Sequence, residues 1–323
     1  MVFIINIQKC AIIGCGFVGA TCAYTLMQSQ LFSEIVLIDV NKKKAEGEAD
    51  DLNHGLPFNS PMKIFAGEYC DTKDAYIVII TAGANQNIGE TRTDLLEKNS
   101  KIFKNIIENL LKFNNESILL VVTNPVDILT YLTEYFSSLP PKRIIGSGTV
   151  LDTARLKYLV GNYLDVDYRN IHSFIIGEHG DSEFPVWSSA NVSGIDLDKF
   201  CHSCCKTCST DHLNSIFESV RSSAYRIIEA KGATYYGIAE SVKKIVSAIV
   251  KNEETILPVS AILNGQYGLT DIALSLPCVV GKNGIHDILE IPLNEAEKKM
   301  LLGVAEKQKE IISSLKNEYI TIV

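Results

Sequence analysis

The first half of the chain alternates short, wholly apolar runs with longer stretches of mixed polarity. The apolar runs are Cys10-Ala11-Ile12-Ile13, Glu34-Ile35-Val36-Leu37-Ile38, Tyr76-Ile77-Val78-Ile79-Ile80 and Ser117-Ile118-Leu119-Leu120-Val121-Val122. They are rich in β-branched residues and too short for helices, so each predicts a strand. A glycine turn after Ile13 leads into a helix-like stretch through Gln28. Asn41 to about Asn53 predicts the next helix, and Ile102 to Leu111 is amphipathic. A strand with no polar face must be covered on both sides. Such strands alternating with helices predict an α/β fold: a Rossmann-type, doubly wound parallel sheet.

After about residue 165 the rhythm changes. Ile171–Ile176 and Phe184–Ser189 predict an antiparallel pair around a turn at His179. A long helical region runs from about Asp211 to Val250. Strand-like segments follow at Ile256–Leu263 and Ile272–Val280, and a charged helix starts at Asn294. This is an α+β pattern. It divides the chain into residues 1–147 and 148–323, a parallel-sheet domain and a C-terminal α+β domain. There is no internal repeat and no Pro- or Gly-rich linker, so the two are expected to form one rigid unit.

Composition narrows the function. The chain has 323 residues, 46% of them hydrophobic, and a net charge of −8. An acidic surface argues against nucleic acid as a partner. No apolar run reaches the roughly 20 residues that cross a bilayer. Met1-Val2-Phe3-Ile4-Ile5 is apolar but short, without the basic leader or cleavage site of a signal peptide. Cys10, Cys15, Cys22, Cys70 and Cys278 are scattered, as expected for reduced thiols of a cytoplasmic protein.

Gly14-Cys15-Gly16-Phe17-Val18-Gly19 follows the first strand and opens a helix. In this spacing the first glycine permits a tight turn, the second lets backbone approach a pyrophosphate, and the third lets helix and strand pack closely. Asp39 ends the second strand, 20 residues past Gly19 (39 − 19). A carboxylate there binds ribose hydroxyls and repels a 2′-phosphate, which points to NAD rather than NADP. A purely structural turn would need none of this context.

Four further segments carry candidate chemistry. Thr81-Ala82-Gly83 leads from the third strand into a polar loop that ends at Arg92, which suits a mobile cation; the plain alternative is a solvated loop. Thr123-Asn124-Pro125 ends the fourth strand, where an amide can face a ligand or simply cap a helix. Asp152 and Arg155 stand three apart on one helical face. They are either an exposed ion pair of little worth or a carboxylate that orients a distant His beside a guanidinium that grips a substrate carboxylate. Finally, Gly177-Glu178-His179-Gly180-Asp181 places an imidazole between glycines at a strand's end, in a form suited to acid–base work.

Taken in order, these motifs resemble the lactate/malate dehydrogenase family, and within it the bacterial L-lactate dehydrogenases. Gly146-Ser147-Gly148-Thr149 and Ala233-Thr234-Tyr235-Tyr236-Gly237-Ile238 belong to the same resemblance, which runs from Gly14 to beyond Gly237. It implies reversible hydride transfer from NADH to pyruvate, giving L-lactate and NAD+, as the end step of fermentative glycolysis in a cytoplasmic homotetramer. It implies that His179 is the acid–base and Asp152 its orienting partner. Arg155 would hold the substrate carboxylate and Arg92 would polarise the carbonyl. Gln86, Asn124 and Thr234 would complete the substrate pocket. Gly14, Gly16, Phe17, Val18, Gly19, Asp39, Thr81, Ala82, Gly83, Val122, Asn124 and Ile238 would bind NAD.

Three positions refine the resemblance. Malate dehydrogenases have an arginine at the position of Gln86, paired to a second carboxylate. A neutral amide leaves no countercharge, so pyruvate fits better than oxaloacetate, and larger 2-oxo acids stay open. His172 matches, and Lys157 departs from, the positions that bind fructose 1,6-bisphosphate in allosteric bacterial members. Lysine keeps the charge of the usual arginine but loses its planar fork. Cys201, Cys204, Cys205 and Cys208 form two C-x-x-C pairs within eight residues. Structural zinc sites draw their pairs from separated segments, so the expectation is a thiol-rich surface segment and no metal.

Overall fold

The structure is a computed structural model that describes residues 5–84, 92–203 and 209–320. The side chains of residues 92, 93 and 317–320 are outside that description. Six parallel strands come first: β1 (Asn6–Ile13), β2 (Glu34–Ile38), β3 (Lys63–Ala66), β4 (Ala75–Ile80), β5 (Ile118–Val121) and β6 (Ile144–Gly146). They lie in the order β3-β2-β1-β4-β5-β6. Helices α1 (Phe17–Ser29), α2 (Lys42–Gly55), α3 (Arg92–Leu111) and α4 (Val126–Ser137) cover the sheet, and α5 (Val150–Leu164) leads away from it.

The apolar runs show why both faces are covered. Ile13, Val78, Ile80, Leu119 and Val121 pack with the residues of α3 and α4 on one face. Their neighbours Ile12, Ile77, Ile79, Ile118 and Leu120 pack with α1 and α2 on the other. Each fully buried Ile or Leu contributes roughly 1.5–3 kcal/mol of transfer free energy. Asn41 caps α2 by accepting a hydrogen bond from the Lys44 amide.

The second half holds β7 (Ile171–His172), β8 (Ile175–Ile176), β9 (Phe184–Pro185), β10 (Asn191–Val192) and β11 (Ile195–Asp196). It continues with α6 (Leu197–Ser203), α7 (Thr210–Arg221), α8 (Ser223–Lys231), α9 (Tyr236–Val250), β12 (Thr255–Asn264), β13 (Thr270–Gly281), β14 (Gly284–Ile288) and α10 (Glu295–Ile320). Asn294 and Glu297 cap α10 reciprocally, each side chain accepting from the other's amide at 2.9 Å.

Three features differ from the sequence reading. The expected strand Ile171–Ile176 is split: Ile171–His172 pairs with β10, while β8 pairs with β9 across the His179 turn. The Ile175 amide donates instead to Thr153 Oγ1 at 2.9 Å, which draws the chain from one sheet to the other. The long helical region is three helices, α7, α8 and α9. The break after α8 falls at Gly232, with φ 84°. Finally, β12, β13 and β14 do not stand apart. They extend the main sheet beyond β6 as antiparallel strands, making nine in the order β14-β13-β12-β6-β5-β4-β1-β2-β3. The sequence reading had no strand at β3, β6 or β14, which are only three to five residues long.

Candidate active site

Strand order reverses between β1 and β4, and the crevice beyond their C-terminal ends is where an open α/β sheet takes a ligand. Gly14 turns the chain there with φ 103°, and a Cβ on it would come 2.5 Å from the Ala82 nitrogen. A Cβ on Gly19 would come 1.9 Å from the Gly14 carbonyl oxygen, so α1 sits as close to β1 as backbone allows. Above Gly16, by contrast, a Cβ would meet nothing within 4 Å. α1 begins at Phe17 with no side-chain cap, so its first amides are free to meet an anion.

Asp39 grips the turn, accepting from the Cys15 amide at 2.7 Å and the Asn41 amide at 2.8 Å. Thr81 Oγ1 donates to the Gly14 carbonyl at 2.8 Å, and the Thr81 and Ala82 amides both donate to the Ile13 carbonyl at 2.9 Å. Gly83 packs on the Thr123 side chain. Val122 is buried at the end of β5, and Val18 and Ile238 are partly buried against the same core. The exposed ring of Phe17 stacks on Tyr235 at 5.6 Å, so the segment before α9 flanks the cleft. Open space, uncapped amides and a carboxylate at the end of β2 together fit a dinucleotide.

The second group converges on His179, which follows β8. Its Nδ1 donates to Asp152 Oδ2 at 2.6 Å, and Arg155 Nη1 donates to Asp152 Oδ1 at 2.8 Å. One carboxylate on α5 thus fixes both cations. Gly177 pairs with Ser275 of β13 and holds the base of the turn. The His179 amide donates to Asp127 Oδ2 at 2.8 Å, and Ser275 Oγ donates to the other oxygen at 3.1 Å. Glu183 Oε2 lies 3.8 Å from His179 Nδ1.

Burial and charge set the protonation states. Burial alone would lower the His179 pKa, but the Asp152 charge and hydrogen bond, with Glu183 behind them, hold it well above the usual imidazole range. Burial would raise Asp152, yet His179 and Arg155 keep it below the usual carboxylate range. Burial pushes Glu183 up to about 7 and Asp127 up to about 6. The arrangement is an imidazolium locked through Nδ1, with Nε2 left to give a proton.

A cavity of about 820 Å³ lies in front of it. Asn124, Pro125, Ile128, Asp152, Arg155 and His179 form one wall, and α8 and α10 contribute the other. Asn124 does not cap α4: the cap position is Pro125, and no side chain fills that role. Thr234 lies in the loop before α9, beside the Phe17–Tyr235 stack. Gln86 and the side chain of Arg92 are outside the described residues; the backbone of Arg92 begins α3.

The sequence reading assigned no role to Asn99, Asp127, Glu183 or Ser275. Asn99 is buried on α3, accepts from the Ala84 amide at 2.7 Å and donates to the Asn124 carbonyl at 3.0 Å, tying the two halves of the crevice together. Its sequence context does not set it apart from an ordinary helix residue. Glu183, four residues past His179, was visible as a second carboxylate, but its burial was not.

Lys157, half-buried on α5, is lowered in pKa by burial; His172 is exposed on β7, which packs against α5. Cys10, Cys15, Cys22, Cys70 and Cys278 are free thiols. Cys201 corrects the expectation of a thiol-rich surface segment: it is buried on α6 and its sulfur is in a disulfide. Cys204, Cys205 and Cys208 are outside the described residues. Among the described residues, Asp152, His179 and Glu183 are a group with the donor types of a metal site; Asp152 and His179 are hydrogen-bonded to each other, and Glu183 Oε2 stands 3.8 Å from the same ring nitrogen. No described helix is long and apolar enough to cross a membrane.

Comparison with known proteins agrees with this geometry. Residues 8–146 match the family profile of the lactate/malate dehydrogenase NAD binding domain, and residues 149–319 that of the alpha/beta C-terminal domain. The chain is 55% identical to an L-lactate dehydrogenase of Acetivibrio thermocellus over 96% of its length and 98% of the relative's. It is 50% identical to L-lactate dehydrogenase 1 of Clostridium acetobutylicum over 95% and 98%. Among solved structures, a ligand-bound minor L-lactate dehydrogenase of Enterococcus mundtii superposes with a TM-score of 0.92 at 40% identity, covering 95% of this chain and 98% of that one. A lactate dehydrogenase from a Medee basin deep-sea metagenome gives 0.93 at 45% identity, covering 96% and 99%. Both family profiles together span nearly the whole chain, and the two L-lactate dehydrogenase relatives match at 50–55% identity over almost their full length: the chain belongs to the lactate/malate dehydrogenase family.

Proposed function

We propose that the protein is an L-lactate dehydrogenase that reduces pyruvate reversibly to L-lactate with NADH. The observation that carries the reading is Asp152 holding His179 at 2.6 Å and Arg155 at 2.8 Å on one cavity wall, next to the glycine turn. Gly14, Gly16, Gly19 and Asp39 would hold NADH, with Ile238 on the nicotinamide side, and the bound cofactor would supply the hydride for the keto carbon. His179 gives its Nε2 proton to the keto oxygen as the alcohol forms, and takes it back in the reverse direction. Arg155 grips the substrate carboxylate while one of its nitrogens stays on Asp152. Arg92 stabilises the developing alkoxide. Asn124, Thr234 and Gln86 line the substrate.

The remaining parts of the reading follow the family. Residues 1–147 form the NAD-binding domain and 148–323 the substrate domain. The enzyme works in the cytoplasm as a homotetramer at the end of fermentative glycolysis. Lys157 and His172 form part of a fructose 1,6-bisphosphate site.

The test is the specificity swap Gln86→Arg. A guanidinium there pairs with the second carboxylate of oxaloacetate and sits unpaired beside the methyl of pyruvate. About 3 kcal/mol of relative transition-state binding shifts preference by roughly two powers of ten. The parent should oxidise NADH with pyruvate far faster than with oxaloacetate, and the variant should favour oxaloacetate. An unchanged kcat/KM ratio removes the ground for choosing lactate over malate.

A further inference from the structure

The His179 ring is served by two carboxylates, and the function above uses one. Glu183 is 5% exposed, and its Oε2 lies 3.8 Å from Nδ1, the same ring atom that donates to Asp152. That oxygen also accepts from the Gly180 amide at a long 3.4 Å, so Glu183 closes the turn that carries His179. A buried carboxylate without a strong cation partner is costly. Arg155 is spent on Asp152, and Asp127 is taken up by the His179 amide and Ser275 Oγ. The charged groups facing Glu183 are therefore His179 from its own turn and Asp152 from α5. Its ionised form is supported by the imidazolium and, more weakly, by the Gly180 amide.

We propose that Glu183 is a positioning residue for His179: a second anchor on the Nδ1 edge that keeps the imidazole in its proton-carrying form over a wider pH range. The inference rests on His179 being the acid–base group. Its sign follows from the charge. Burial raises the Glu183 carboxyl to about 7, and once ionised it sets a negative charge 3.8 Å from Nδ1, which favours the protonated ring. Reduction of the 2-oxo acid needs the protonated ring, so Glu183 extends that direction into the alkaline range.

The experiment compares the parent with Glu183→Gln, which keeps shape and the bond to Gly180, and with Glu183→Asp, which keeps the charge but draws it back. Two midpoints are read: the alkaline fall of kcat/KM for pyruvate reduction, and the pH dependence of His179 carbethoxylation by diethyl pyrocarbonate, with His179→Asn as background. Carbethoxylation attacks only the neutral ring. Glu183→Gln should move both midpoints down by about one pH unit, the low end for a charge at this distance, with Glu183→Asp in between. Midpoints within about 0.2 unit of the parent in both variants overturn the proposal. A shifted carbethoxylation midpoint in a protein inactive on every 2-oxo acid upholds Glu183 while rejecting the lactate dehydrogenase reading.

Discussion

At the end of β1 the protein works by leaving side chains out; at the end of β8 it works by bringing them in. The nucleotide crevice depends on three glycines and on main-chain amides, and a local run of six residues plus Asp39 holds most of it. The His179 cluster draws on α4, α5, β13 and its own turn, with partners 27, 52 and 148 residues apart in the chain. The first site is set by steric exclusion and tolerates little added volume. The second is set by charge and hydrogen bonding in a poorly solvated pocket, where one lost atom changes the chemistry without changing the shape.

Substitutions that strike one region and spare the other test this division. The largest effect is expected from His179→Asn, which keeps size and hydrogen bonding but removes the transferable proton. Turnover should fall by roughly 10²–10⁴ or more, while NADH titration by fluorescence should be nearly unchanged. Loss of NADH binding as well would mean that the regions are not separable. The parent reaction carries a matching pH signature. Because His179 is held above its ordinary pKa, pyruvate reduction should persist through neutrality and decline only on the alkaline side, while lactate oxidation rises there.

A smaller effect belongs to Asp39. The parent should prefer NADH to NADPH, and Asp39→Ala should narrow that ratio of kcat/KM by roughly tenfold or more, since about 1.4 kcal/mol of repulsion is removed. The same change frees the Cys15 and Asn41 amides, so NADH affinity should weaken too. Equal use of both cofactors by the parent would show that Asp39 does not face the ribose.

The smallest effect sharpens the comparison. Asn99→Ala breaks the tie between Ala84 and Asn124, two part-buried hydrogen bonds worth about 1 kcal/mol each. It should lower thermal stability and raise KM for both NADH and pyruvate a few-fold. A change confined to one substrate would mean that Asn99 serves only that half of the crevice.

The contrast also explains what could be read from the chain. β1, β2, β4 and β5 were legible because a strand buried on both faces leaves no polar residue to confuse its signal. β3 and β14 were not, since polar and charged residues (Lys63; His286 and Asp287) interrupt them, and β6 has only three residues. The glycine turn was legible because its work is local. Asp152 and Arg155 could be marked as a pair three apart, but the 2.6 Å contact to His179 depends on how α5 meets the β8 turn, which no spacing states. Asn99 and Glu183 look like ordinary helix and loop residues until burial is known. The attachment of β12 to β6 was hidden for the same reason, because it joins segments 114 residues apart (260 − 146).

That junction has a bearing on synthesis. β6 leaves the ribosome with one neighbour, β5, and its other edge stays bare until β12 emerges. At roughly 5–20 residues per second the wait between Gly146 and Ser260 is about 6–23 seconds. Throughout it, the nascent chain displays an unpaired apolar edge, the kind of surface on which a neighbouring nascent chain can add a strand. β6 offers only Ile144, Ile145 and Gly146, too short a template for stable mispairing. The brevity that hid this strand from the sequence reading also protects the half-made protein.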